Sequence, residues 1–202
     1  YELEKSVDLI DGLVAHYTFN GDINDTSGKG SNLTAEYADR LEFVTGRSGA
    51  GLAAKFNETE DSLYYETTEA VPSPDGGETM SCWFNLSGSQ NEFNKAHLIM
   101  NVSAHNAARF EVRAEPIEGG FYLATTHGHD PDTKGFTFED VPLEIGQWHH
   151  VLVATEGNGT VTKVYLNGSK VKEVESGTNT VDNPYYGIGG NWGSDMSIDD
   201  WV

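Results

Sequence analysis

Gly146-Gln147-Trp148-His149-His150-Val151-Leu152-Val153-Ala154-Thr155, followed by Thr160-Val161-Thr162-Lys163-Val164-Tyr165-Leu166-Asn167-Gly168, decides the fold class. Both runs are dense in β-branched and aromatic residues, and neither shows a 3.6-residue apolar period. Asn167-Gly168 is a two-residue hairpin signal, because both positions tolerate positive φ. The return strand then runs over 170–175. In the first run Trp148, His150, Leu152 and Ala154 share one face, while His149, Val151, Val153 and Thr155 share the other. Apolar residues on both faces predict a central strand covered on both sides.

Outward from this hairpin the same texture repeats. Strands are predicted near 13–19, 32–37, 41–45, 51–56, 61–66, 78–86, 96–102, 108–115, 120–126, 184–189 and 196–202. Asp75-Gly76-Gly77, Gly119-Gly120 and Gly157-Asn158-Gly159 break them. Many short strands with frequent turns indicate an all-β sandwich or barrel. No internal repeat suggests a propeller or solenoid. The predicted core includes Trp83, Phe84, Trp148, Leu152, Val164 and Leu166.

The chain has 202 residues, enough for one domain and too few for two comfortable ones. Residues 1–11 read as a linker or leading strand. Twelve basic against 32 acidic residues leave a formal charge of −20, which argues against nucleic acid or an anionic membrane as partner. No apolar run reaches the length of a membrane span. The single cysteine, Cys82, stands in an alternating segment, and a buried inert thiol is expected.

Four segments, in order, resemble the laminin-G-like branch of the concanavalin A-like lectin and glucanase family. They are Gly12-Leu13-Val14-Ala15-His16-Tyr17-Thr18-Phe19 with Asn20-Gly21-Asp22-Ile23-Asn24-Asp25-Thr26-Ser27-Gly28; Thr79-Met80-Ser81-Cys82-Trp83-Phe84; the hairpin above; and Gly187-Ile188-Gly189-Gly190 leading to Ile198-Asp199-Asp200. The resemblance implies an antiparallel two-sheet jelly-roll sandwich over 1–202. The stretch 87–140 carries no matching motif, and the strand after Asp200 ends at Val202. The family hosts lectins, adhesion modules and glycan-cleaving enzymes, so activity must be argued from residues.

Calcium is the expected cofactor. Residues 20–28 crowd side-chain oxygens into a Gly-flanked loop, and calcium takes six to eight oxygen ligands. The invariant glycine and terminal glutamate of an EF-hand are missing. The resemblance implies that this loop lies against the far end of the chain, so the expected ligands are Asp22, Asn24, Asp25, Ser27, Asp199 and Asp200. An ordinary Asx-rich turn is the alternative. His127-Gly128-His129-Asp130-Pro131-Asp132 reads as a solvated or ligand-contacting loop rather than zinc. His149 and His150 read as structural.

Catalysis finds little support. Glu111 and Glu115 share a strand face with Arg113, but no Glu-x-Asp-x-Glu pattern and no Gly-x-Ser-x-Gly occurs. Carbohydrate sites on sandwiches use an exposed aromatic ring with nearby amides and carboxylates. The expected ligand residues are therefore Trp192, Tyr185, Tyr186, Asn191 and Asp195, with His127 and His129. The sequence reads as a monomeric, non-catalytic module binding carbohydrate or a cell-surface protein. It is expected to belong to a bacterial secreted or surface protein, where salt screens the acidic surface. A polysaccharide-cleaving enzyme and a structural spacer are the alternatives.

Overall fold

The computed structural model describes residues 12–56, 62–66, 77–86, 97–104, 107–117, 120–127, 135–156, 161–175, 185–189 and 196–199. The strands are β1 (Thr34–Ala35), β2 (Glu42–Thr45), β3 (Leu52–Phe56), β4 (Ser62–Glu66), β5 (Thr79–Leu86), β6 (His97–Ala104) and β7 (Ala107–Ile117). They continue as β8 (Gly120–His127), β9 (Gly135–Leu143), β10 (Trp148–Glu156), β11 (Val161–Leu166), β12 (Ser169–Glu175), β13 (Tyr185–Gly189) and β14 (Met196–Asp199). One sheet has the order β1-β4-β13-β6-β7-β8-β9, the other β12-β11-β10-β5-β14-β3-β2. Every pairing is antiparallel. The sheets pack as a sandwich around Phe84, Leu86, Met100, Val112, Phe121, Leu123, Val151, Val164 and Ile188.

The predicted hairpin forms as read. Leu166 pairs with Ser169 across Asn167 and Gly168, whose φ values are +51° and +81°. Two consecutive positive φ values match the twist of the flanking strands. Strand β10 is central, between β11 and β5.

Its two faces differ from the expectation. His149, Val151, Val153 and Thr155 point into the core, whereas Trp148, His150, Leu152 and Ala154 are half-buried on the outer face. Trp83 shares that outer face, with the Arg47 guanidinium 4.5 Å above its ring and the His150 ring 5.0 Å away. Phe84 and Val164 are fully buried, and Leu166 packs partly buried against the core. Trp83, Trp148 and Leu152 are therefore not core residues. A half-buried side chain leaves a smaller cavity when truncated, so Trp148→Ala is expected to cost only about 1–2 kcal/mol. Urea denaturation would measure it.

Two further differences concern strands. Residues 13–19 form no extended strand, only an isolated bridge at Tyr17. Their backbone serves a loop instead: the Thr26 N–H donates to the His16 carbonyl, and the Leu33 N–H to the Ile23 carbonyl. Strand β9 begins within the stretch without a motif, runs past its end and contains Pro142, which ordinarily demotes a strand. It forms because β9 is the sheet edge, where the missing N–H need not face a neighbour.

His149 is buried and satisfied. Its Nε2 lies 3.2 Å from both the N–H and the carbonyl oxygen of Glu144, and its Nδ1 lies 3.4 Å from Asn167 Nδ2. It ties the loop entering β10 to the hairpin turn. Cys82 is fully buried, and burial pushes its thiol far up, so it stays protonated and inert, as expected.

Candidate functional site

The oxygen-rich loop at 20–28 is organised around one carboxylate. Asp25 Oδ1 accepts the N–H groups of His16 at 3.0 Å and Ser27 at 2.8 Å. Its Oδ2 accepts the Ser27 hydroxyl at 2.8 Å and the N–H groups of Gly30 at 2.9 Å and Ser31 at 3.1 Å. Its own N–H donates to Asn32 Oδ1 at 2.9 Å. Burial raises the Asp25 carboxyl. The donors of His16, Ser27 and Ser31 outweigh that and hold it well below the usual carboxylate range. The buried Tyr17 hydroxyl donates to the Ser31 carbonyl at 2.5 Å and fastens the loop to the core.

The other expected metal ligands divide. Ser27 Oγ serves Asp25 and also accepts the Lys29 N–H at 3.2 Å. Asp22 Oδ1 accepts the Asn24 N–H at 3.0 Å, and both side chains are exposed. Among the described residues, no three His, Cys, Asp or Glu gather in a metal-binding group. Asp200 lies outside the described residues. Asp199 ends β14, paired with Trp83, and the preceding Ile198 pairs with Ala54. The Leu52 N–H, at the start of β3, donates to Asn20 Oδ1 at 2.9 Å. Topology thus brings the head of the oxygen-rich loop and the end of β14 to the same end of β3.

Of the expected ligand-binding residues, Trp192, Asn191, Asp195 and His129 lie outside the described residues. Tyr185 opens β13, opposite Glu66 and Ser103. Tyr186 packs against the core cluster from the inner face. His127 ends β8 opposite Phe110. Phe110 pairs with Val102 and Val102 with Tyr186, so His127 and the start of β13 lie at one end of the same sheet. At about 4.8 Å per strand, three spacings separate them by about 14 Å.

Outer positions of that first sheet carry a charged row. Glu111, Arg113 and Glu115 alternate along β7, and Arg113 bridges the carboxylates. Its Nη1 lies 3.8 Å from Glu111 Oε2, and its Nε lies 3.2 Å from Glu115 Oε2. Side-chain exposures are 21%, 18% and 32%, low for an outer face. Burial raises the Glu111 carboxyl, and the Arg113 charge opposes it. Positions four apart on a strand stand about 13 Å apart. Those are backbone positions; both carboxylates reach the one Arg113 guanidinium, which stands between them.

Across the ladder, Glu115 faces Tyr122, and Tyr122 faces Pro142. The β8–β9 register slips just beyond Tyr122. Beside it a hollow of about 300 Å³ is lined by residues including Gly120, Tyr122, Pro142, Glu144 and Ile145. The sequence offered no aromatic signal here, because Tyr122 stands in an ordinary alternating strand.

The sequence pattern of the concanavalin A-like lectin/glucanase superfamily, in its third laminin-G form, matches residues 58–200. The chain belongs to this family, and its sandwich is the jelly roll of that family. No curated protein matches it in sequence. Among solved structures it is similar to the botulinum neurotoxin serotype D binding domain, with TM-score 0.70 and 15% identity over 93% of this chain and 47% of that one. It is similar to the binding domain of botulinum neurotoxin DC solved with rat synaptotagmin II, with TM-score 0.68 and 14% identity over 95% of this chain and 48% of that one. The chain thus spans about half the length of these neurotoxin domains. It also resembles domain 4 of AbnA, a GH43 extracellular arabinanase from Geobacillus stearothermophilus, solved with arabinotriose. There the TM-score is 0.61 and the identity 20%, over 93% of this chain and 89% of that one.

Proposed function

We propose that this chain is a non-catalytic, extracellular carbohydrate-recognition module. The observation that carries the reading is its likeness, over nearly the whole of both chains, to a domain of an extracellular arabinanase solved with arabinotriose. The charge of −20 suits a module working in saline surroundings, where salt screens its self-repulsion. No helix among the described residues is long and apolar enough to cross a membrane. A protein ligand is the second reading, favoured by the likeness to the neurotoxin domain solved with synaptotagmin.

The reading includes one structural calcium ion. It would draw on Asp22 and Asn24 and on the Asp199–Asp200 end, and would supply positive charge between carboxylates. Its support is the register that brings the end of β14 and the start of the loop to β3. Asp25 and Ser27 do not fit as ligands: their oxygens are taken by the loop's own hydrogen bonds, and they shape the loop that presents Asp22 and Asn24.

A glycan array run with and without calcium tests both parts. Binding to one class of glycans is the expected result; an array silent in both conditions would end the carbohydrate reading. At a hundred times its dissociation constant, calcium should stabilise the fold by about 2.7 kcal/mol. A melting curve indifferent to calcium and to chelator would remove the ion.

A further inference from the structure

We propose that Tyr122, Glu115 and Arg113, with the hollow beside Gly120 and Pro142, form a sugar-binding subsite on the outer face of the β7–β8–β9 ladder, selective for a neutral glycan over an anionic one. The inference rests on the carbohydrate reading and assigns it to a place separate from Trp192, Tyr185 and Asp195.

Three observations converge there. The first is shape. The hollow of about 300 Å³ lies between the start of β8 and the end of β9 with the residues just after it, and Gly120 contributes no side chain to fill it. Tyr122 is half-buried and pairs with Pro142 across the ladder, and both residues line the hollow. An aromatic face next to an open space is what the apolar side of a sugar ring packs against.

The second is an unused acceptor. Glu115 Oε2 is buried and lies 3.2 Å from Arg113 Nε, yet among the described residues it has no hydrogen-bond partner. The contact is one of charge without hydrogen-bond alignment. A buried carboxylate oxygen in that state calls for a donor, and a small rotation of the half-exposed Glu115 side chain would offer it to a hydroxyl at Tyr122. Glu144 also lines the hollow and is exposed.

The third is the charge pattern. Arg113 stands between two carboxylates, so its positive charge is already compensated. The row offers acceptor, donor and acceptor in alternation, which suits a polyol that both donates and accepts. It offers no net positive charge to a sialic acid or uronic acid carboxylate. Among the described residues here, Glu111, Glu115 and Glu144 outnumber Arg113, and the whole chain carries −20, so anionic sugars are repelled locally and at long range.

The experiment titrates the isotopically labelled chain with a panel of neutral oligosaccharides including arabinotriose, and with sialyllactose as the anionic member. The expected result is that a neutral member binds, that sialyllactose does not, and that the shifted amides cluster on β7 and β8 around Glu115 and Tyr122. Tyr122→Ala and Glu115→Gln should each weaken that binding about tenfold or more, with the remaining spectrum still that of the folded chain. If a neutral sugar binds but shifts amides only at 185–195, and both variants bind as tightly as the native chain, the subsite is overturned while the carbohydrate reading stands. Tighter binding of sialyllactose overturns the selectivity. Should no member of the panel bind, while an array glycan does and leaves β7 and β8 unshifted, the subsite likewise falls alone. A chain that binds no glycan in either format loses both.

Discussion

Asp25→Ala should lower the stability of the fold by about 3 kcal/mol. The carboxylate accepts four backbone N–H groups and one hydroxyl, and no other side chain reaches His16, Ser27, Gly30 and Ser31 together. Hydrogen bonds to a charged acceptor contribute about 1.5–3 kcal/mol each when buried. The loop is partly solvated and water replaces some of the lost partners, so the sum is well below five times that figure. Asp25→Asn should recover little, because its amide turns an NH2 group toward N–H donors. The loss should persist in chelator, which separates a loop-holding carboxylate from a calcium ligand. Equilibrium denaturation of both variants, with and without calcium, measures this. A cost that vanishes in chelator would make Asp25 a ligand after all.

The same carboxylate sets a pH dependence. Its folded form binds the proton more weakly than the unfolded chain does. The stability it contributes is therefore fully present above the ordinary carboxylate range, about pH 4, and is lost as the pH falls below that. In Asp25→Ala this portion of the acid sensitivity should disappear.

Gly77→Ala should cost about 3–4 kcal/mol and disturb the start of β5. At Gly77 φ is +89°, a region that costs an L-residue about 1–2 kcal/mol. A Cβ there would stand 1.8 Å from the Thr155 carbonyl oxygen and 2.8 Å from its carbon. That carbonyl belongs to β10 and cannot swing aside like a side-chain tip. The strands meet tightly at this point: the Thr155 N–H donates to the Glu78 carbonyl at 2.8 Å, and the Glu78 N–H to Thr155 Oγ1 at 3.1 Å. Relieving the overlap means opening this junction, at about 1 kcal/mol for each hydrogen bond lost. Gly146→Ala, where φ is +80° and an added Cβ meets nothing within 4 Å, provides the comparison. Gly77→Ala with the denaturation midpoint of the native chain would show that the junction yields without cost.

Much of the architecture was legible in the residues. Alternation over 79–86, 148–156 and 161–166, with Asn167-Gly168 between two strands, determines antiparallel pairing and its register, because side chains alternate faces and only a few turns join strands so closely. The order of the segments pointed to the family whose pattern matches residues 58–200. Other features lay beyond it. Trp148 and Leu152 are as apolar as Val151 and Val153, so alternation defines two faces without saying which one the opposing sheet covers. Strand β9 depends on being an edge, which its own residues do not announce. The oxygens of 20–28 could be counted in the sequence, but whether Asp25 faces an ion or N–H groups depends on where the chain turns back on itself. The hollow beside Tyr122 is lined by the start of β8, the end of β9 and the residues after it, segments well apart in sequence. Local patterns determine strands, turns and register, since those arise between near neighbours; the inward face, the aim of a carboxylate and the opening of a hollow are decided by segments distant in sequence, and only tertiary packing brings those together.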